Sequence, residues 1–174
     1  QLAEPAWAKK AKEGRASDIK PCINCLIGCI DRGMLSHTPI HCTVNPSLYR
    51  FECKPVEKAE TRKQVAVVGA GPAGCEAALT ASKRGHQVTI YEKRCIGGAM
   101  IEASKPENKA NIKRLIHYYE DHIMHDPNIT LVKEEVEYET LVHRGYDAVI
   151  IAVGGKTRIL NVPGIEKNSV IYAS

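Results

Sequence analysis

The chain has 174 residues, 24 basic against 20 acidic, with 44% hydrophobic and 25% charged side chains. That is the composition of a globular domain and excludes collagen-like, low-complexity and disordered chains. No apolar run approaches the ~18 residues of a membrane span and no secretory signal opens the chain. A net charge of +4 with interspersed signs lacks the Lys/Arg stripe and aromatics of a nucleic-acid binder.

Residues 1–20 are polar, with a weak helical period through Trp7, Ala8 and Ala11 and a helix end offered by Gly14. Residues 21–53 hold four closely spaced cysteines in loop-like sequence broken by Pro21, Gly28, Gly33, Pro39 and Pro46. Residues 54–63 are charged with almost no apolar face, which marks a linker. From Gln64 strand and helix alternate. Val65–Val68 is a short apolar run of the kind buried on both faces of a parallel sheet. Pro72–Arg84 is expected to be a helix closed by Gly85, and Val88–Tyr91 the next strand. Glu107–His125 carries Ile112, Leu115, Ile116, Tyr119 and Ile123 at helical spacing. Weaker strands are expected near Ile129–Val132 and Glu135–Tyr138, and a strong one at Ala148–Val153, before the break at Pro163-Gly164. The order predicts an α/β layer fold over residues 64–174.

Seven cysteines are present, an odd count that fits a reducing compartment and a metal centre better than a disulfide framework. Cys22, Cys25, Cys29 and Cys42 read C-x2-C-x3-C followed by a more distant fourth. Three thiolates within eight residues can wrap one face of a [4Fe–4S] cluster, and the fourth closes it. Zinc also takes four cysteines, but usually from two separate knuckles. Of the others, Cys53, Cys75 and Cys95, the helical Cys75 reads as core packing. His41 reads as a neighbour of the cysteines rather than a ligand. His122 and His125 share a helix face, without the pattern of a metal site.

Gly69-Ala70-Gly71-Pro72-Ala73-Gly74 follows a strand and opens a helix, and Glu92 stands 23 positions after Gly69 at the end of the next strand. Gly69 makes the tight turn, Gly71 lets a pyrophosphate approach the backbone, and Gly74 allows close helix–strand packing. The pyrophosphate meets the positive helix N-terminus, and Glu92 accepts from ribose hydroxyls. NAD or FAD would both suit. Ile96-Gly97-Gly98-Ala99-Met100 and the strand ending at Gly154-Gly155 favour flavin, as in disulfide-reductase-like flavoproteins.

The cysteine cluster with Val44-Asn45-Pro46 behind it, a charged linker, and then VAVVGAGPAG together resemble the iron–sulfur flavoenzymes of the NADH:flavin oxidoreductase group. That group includes 2,4-dienoyl-CoA reductase, trimethylamine dehydrogenase and the clostridial enoate and bile-acid reductases. The resemblance runs from Trp7-Ala8-Lys9-Lys10 and Lys20-Pro21-Cys22 to Val162-Pro163-Gly164-Ile165. It implies a Rossmann-like three-layer FAD/NAD(P)-binding domain, incomplete here, preceded by a small irregular [4Fe–4S] segment. It also implies that this chain, which begins at Gln1, is an internal piece of a longer cytoplasmic parent. An FMN-binding TIM barrel would precede it and an NAD(P)H-binding domain follow it, in a parent free to form homo-oligomers. Electrons would pass from NAD(P)H to FAD, then the cluster, then FMN and an enoate or enoyl-type substrate. The catalytic residues would lie in the barrel.

By position the resemblance makes Cys22, Cys25, Cys29 and Cys42 the cluster ligands and Gly69, Gly71 and Gly74 the phosphate loop, with Ala70, Pro72 and Ala73 inside it. Glu92, with Lys93 beside it, becomes the ribose-binding acid. Gly98 and Met100 would run along the flavin, Val136 would lie on an adenine-side strand, and Ala152 and Gly154 would end the second nucleotide-facing strand. Cys75 replaces a common Leu, and the Glu92–Gly97 connection, which contains Cys95, is about one residue short of the pattern. In the amine-dehydrogenase branch ADP takes the place of FAD. A glutamate-synthase-like small subunit would carry about eight cluster cysteines, and a zinc-and-nucleotide interaction module is the non-enzymatic alternative.

Overall fold

The computed structural model describes residues 2–48, 56–155 and 158–171; Cys53 and the start of the expected linker lie outside them. In the lead-in, α1 spans Trp7–Lys12, and Gly14, at φ +72°, takes the left-handed turn that follows it. A 3₁₀ turn covers Ala16–Asp18. The cysteine segment is more regular than its loop-like sequence implies, because Ile27–Leu35 forms a π-helix. Its wide turns are closed by bonds from Asp31 N–H to the Leu26 carbonyl (3.0 Å) and from Ser36 N–H to the Asp31 carbonyl (2.8 Å).

Beyond residue 63 the chain follows β1 (Gln64–Val68), α2 (Pro72–Lys83), β2 (Gln87–Tyr91) and α3 (Met100–Ala103). A 3₁₀ turn at Glu107–Lys109 leads into α4 (Ala110–Met124), then β3 (Ile129–Val132), α5 (Tyr138–His143) and β4 (Ala148–Ile151). Helix α2 begins on Pro72, whose missing N–H costs nothing at a first helical position. It ends at Gly85, where φ is +94° and the N–H reaches the Ser82 carbonyl at 2.7 Å.

The sheet is parallel throughout, in the order β3-β2-β1-β4. Val65 pairs with Val88 on one side and Ala148 on the other. The chain therefore steps outward from β1 to β3, then returns across the sheet to place β4 beside β1. That return corrects the expectation of a strand at Glu135–Tyr138. Residues 133–137 are irregular and Tyr138 opens α5, so Val136 lies on no strand. The alternation that imitates a strand belongs to a crossover, which a parallel connection requires.

Val65, Val67, Val88 and Ile90 pack against Cys75, Ala78 and Ala81 of α2 and Leu115, Tyr119 and Ile123 of α4. Each large apolar side chain buried there contributes about 1.5–3 kcal/mol, and the alanines let α2 lie close to the sheet. Ala3, from the lead-in, and Val44, from the cysteine segment, join the same core. The cysteine segment is thus packed onto the α/β unit. Asn45, 8% exposed, adds a bond from Nδ2 to the Leu2 carbonyl at 2.8 Å.

Candidate functional site: a phosphate crevice beside a pocket of four thiols

The order β2-β1-β4 places a switch point beside β1, which the chain leaves toward β2 on one side and, after β3, rejoins through β4 on the other. Crevices for ligands form there, at the carboxyl ends of the strands. Gly69 follows β1, at φ +99°. A Cβ on it would sit 2.5 Å from the carbonyl oxygen of Ala152, just past the end of β4. At Gly74 a Cβ would come within 1.9 Å of the Gly69 carbonyl oxygen, so α2 and the turn touch backbone to backbone. Gly71 is different: the nearest atom to a Cβ there would be the Gly98 Cα at 4.0 Å. The protein itself does not demand glycine at that position. Glycine there leaves the backbone at the N-terminus of α2 open, a setting that suits an anion such as a pyrophosphate.

Glu92 is held from both sides. Its Oε2 accepts from the Ala70 N–H and its Oε1 from the Arg94 N–H, each at 2.8 Å. The remaining lone pairs stay available to ribose hydroxyls. The loop after β2 folds back onto the phosphate loop, with the Gly97 N–H on the Ala70 carbonyl at 2.8 Å. Gly98, at φ +52°, has no room for a side chain, since its Cβ would be 2.9 Å from the Gly71 Cα. Cys75 is fully buried, and its Sγ–H donates to the Ala70 carbonyl at 3.3 Å. Burial, with the Glu76 and Glu92 charges, pushes that thiol up to about 12, so it packs rather than reacts.

Gly69 through Gly74, Glu92, Gly98 and Ala152 are therefore assembled around one crevice. Met100 opens α3 nearby and is half-buried against the core. Lys93 instead pairs with Glu135 on the exposed surface at 2.8 Å. Gly154, at φ +75°, has nothing within 4 Å of a Cβ position.

The four thiols line a second pocket of about 230 Å³, together with Leu26, Gly28 and His41. None is in a disulfide. Gly28 draws the two ends of the segment together: its carbonyl accepts from the His41 N–H at 2.8 Å, and a Cβ there would be 2.4 Å from the His41 carbonyl oxygen. This contact sets Cys29 beside Cys42, and it is where His41 acts, through its backbone. On either side of Cys25, Asn24 (φ 53°) and Leu26 (φ 59°) adopt the left-handed conformation. For a leucine that is a strained state of the kind functional sites retain. The turns aim backbone N–H groups at sulfur, with Asn24 N–H 3.3 Å from Cys22 Sγ. Burial pushes the Cys25 thiol up, but bonds from Thr43 and from the Ile27 and Gly28 N–H groups outweigh it and hold it below its usual range.

Among the described residues no three His, Cys, Asp or Glu side chains converge as ligands of a single ion do. A four-iron cluster asks for a wider setting, because each thiolate meets a different iron. The donor set and the backbone N–H groups turned toward sulfur fit such a group. His122 and His125 have other partners: their Nδ1 atoms lie 2.8 Å from the Tyr118 and Asp121 carbonyls.

Residues 63–173 match the family model described as pyridine nucleotide-disulphide oxidoreductase. The chain belongs to that family of oxidoreductases. It is 39% identical over 170 residues to an NADH oxidase of Thermoanaerobacter brockii, covering 97% of this chain and 26% of that protein. It is 33% identical over 168 residues to a cinnamate reductase of Clostridium sporogenes, covering 95% and 25%. The solved 2-naphthoyl-CoA reductase, in complex with 2-naphthoyl-CoA, superposes with a TM-score of 0.89 at 33% identity over 96% of this chain and 26% of its own. The chain thus spans about a quarter of the length of these relatives. Within the family it is a member of the 2,4-dienoyl-CoA reductase and trimethylamine dehydrogenase group of flavoenzymes, as the sequence resemblance implied. The fold is the family's FAD/NAD-binding α/β domain. Among the described residues no helix is long and apolar enough to cross a membrane.

The sequence reading missed two features of the site: Thr43, which carries no motif, and the contact between Gly28 and His41, which is visible only once the segment is folded. Gly28 itself was marked by its place between Cys25 and Cys29.

Proposed function

We propose that the chain is the electron-transfer module of an NAD(P)H-dependent iron–sulfur flavin oxidoreductase acting on an enoate or enoyl-type substrate. The observation that carries this reading is the packing of a four-thiol pocket and a phosphate crevice into one core through Val44. In this reading Cys22, Cys25, Cys29 and Cys42 hold a [4Fe–4S] cluster, and Gly69–Gly74 with Glu92 hold the ADP half of FAD. When bound, these groups supply one-electron and hydride chemistry. The protein's own residues bind and orient them: Gly71 leaves the backbone open to pyrophosphate, Glu92 is fixed by two N–H groups, and Gly28 keeps the thiols together.

The partner in this reading is an FMN-binding TIM barrel of the same parent protein, with an NAD(P)H-binding domain beyond it. An exposed apolar surface beside the thiol pocket supports a docking partner there. Leu26 is 54% exposed, Met34 66% and Leu35 72%, all on or beside the π-helix. Free thiols at this density fit the cytoplasm.

The test is anaerobic purification of the parent protein, with iron and sulfide assays, an absorption spectrum and chromatography of released nucleotides. About four irons per chain with FAD and FMN is the expected result. ADP in place of FAD, with oxidation of an amine, would move the protein to the amine-dehydrogenase branch. Zinc without flavin would overturn the reading.

A further inference from the structure

Among the described residues, two side chains form hydrogen bonds with sulfurs of the thiol pocket. Asn24 Oδ1 lies 3.4 Å from Cys22 Sγ, and Thr43 Oγ1 lies 3.2 Å from Cys25 Sγ. They differ chemically. An amide oxygen only accepts, so its contact needs a protonated thiol. A hydroxyl accepts from S–H or donates to S⁻, so the Thr43 contact survives ionisation with its polarity reversed. An iron-bound cysteine is a thiolate, so toward a cluster the hydroxyl can only donate.

The hydroxyl is also held in place. Thr43 stands between Cys42, itself a pocket residue, and the pair Val44 and Asn45, which are 6% and 8% exposed. Asn45 is tied at both ends of its amide: Nδ2 donates to the Leu2 carbonyl at 2.8 Å, and Oδ1 accepts from the Ser47 N–H at 3.1 Å. The backbone at Thr43 is therefore anchored on both sides, and its side chain lines the seam between the thiol pocket and the groove along α2 that Pro72 and Glu76 share.

We infer that Thr43 tunes the reduction potential of the cluster by donating its hydroxyl hydrogen to Cys25 Sγ. The inference rests on the cluster reading above. Reduction adds one electron, delivered from a reduced flavin or from dithionite, to the cluster and its ligand sulfurs, and no bond is made or broken. A fixed O–H dipole aimed at one of those sulfurs stabilises the added negative charge, so Thr43 raises the potential. The residue acts through Cys25 and touches no substrate.

The experiment is a redox titration of the anaerobic parent protein, followed by visible absorbance and electron paramagnetic resonance, for the wild type, Thr43→Val and Thr43→Ser. Valine keeps the shape and removes the donor; serine keeps the donor. At a fixed solution potential Thr43→Val is expected to lower the reduced-to-oxidised ratio about threefold, a negative shift of about 28 mV for one electron. Thr43→Ser is expected to keep the wild-type value. Equal potentials for the wild type and Thr43→Val, at equal iron content, overturn the tuning role. Should valine expel the iron, Thr43→Ala removes the same hydroxyl without the added bulk and supplies the comparison. Loss of iron in both variants overturns tuning in favour of a role in assembly. Zinc, or no iron, in the wild type overturns the cluster reading itself and is separable from these results.

Discussion

The Lys20 ammonium pairs with the Glu76 carboxylate, joining the residue before Pro21-Cys22 to helix α2 across 56 positions of sequence. The same carboxylate oxygen accepts from the Tyr119 hydroxyl at 2.7 Å. The ammonium also lies over the Tyr118 and Tyr119 rings, 5.9 and 5.6 Å from their centres. Lys20→Met removes the charge and keeps much of the stem. It is expected to cost about 1–2 kcal/mol, a modest figure because Glu76 is partly open to water. Amide hydrogen exchange should quicken in residues 2–48 and hold steady in β1 and β2. Unchanged exchange in the cysteine segment would show that the core contacts of Ala3 and Val44 suffice alone.

The glycines of the phosphate loop should separate into two kinds. Gly74→Ala drives a Cβ into the Gly69 carbonyl and is expected to destabilise the fold by about 3 kcal/mol or more. Gly71→Ala meets no protein atom nearer than 4.0 Å at an ordinary φ of −71°. It should melt close to the wild type and yet lose nucleotide, because its methyl occupies the approach to the pyrophosphate. Thermal melting alongside nucleotide titration checks both, and a Gly71→Ala variant with full affinity would refute the assignment.

Gly28→Ala keeps every candidate ligand and still should lose the metal. Its methyl collides with the His41 carbonyl and parts Cys29 from Cys42. Iron content should fall toward that of a Cys29→Ser variant while nucleotide binding is retained. Full iron occupancy in Gly28→Ala would mean the two halves of the segment assemble around the metal without this contact.

Three tyrosines set an alkaline limit to stability. Burial, with the Glu76 charge, pushes Tyr118 up to about 12. Burial and the bond to Tyr146 push Tyr91 up to about 12, and burial beside Glu76 moves Tyr119 higher still. In the unfolded chain each ionises near 10. The folded form thus keeps protons that the unfolded form has released, so this stability is full below pH 10 and lost as pH rises through 12. Tyrosinate absorbance at 295 nm should appear in two stages, the later one together with loss of near-ultraviolet circular dichroism. Titration of every tyrosine near 10 with the fold intact would contradict the burial.

Much of the nucleotide crevice was legible because its constraints are local. The left-handed φ of Gly69 and the contact of Gly74 with the Gly69 carbonyl both lie within one strand–turn–helix, although Gly69 also meets Ala152 beyond β4, and the apolar rows of α2 and α4 follow from period alone. The cysteine spacing likewise foretold a shared pocket. The π-helix was not legible, since an extra residue per turn blurs the periodicity of Ile27, Ile30 and Met34. The Glu135–Tyr138 alternation misled because only the pairing of β4 with β1 shows that the chain is crossing over there. Lys20, Glu76 and Thr43 act through contacts between residues far apart in sequence, which no window of residues contains.

Strand β4 is the edge of the sheet among the described residues, and all four of its residues are exposed; Val149 is 41% exposed, Ile150 37% and Ile151 66%. A bare apolar edge of that kind is a template on which a second molecule can add a strand. Produced at high concentration with that edge uncovered, the protein should self-associate, with light scattering rising steeply with concentration. Ile151→Lys should suppress it, since a lysine on an edge strand makes each added copy bury a charge. The line of the molecule that handles worst in the test tube is then the one best suited to receive another strand.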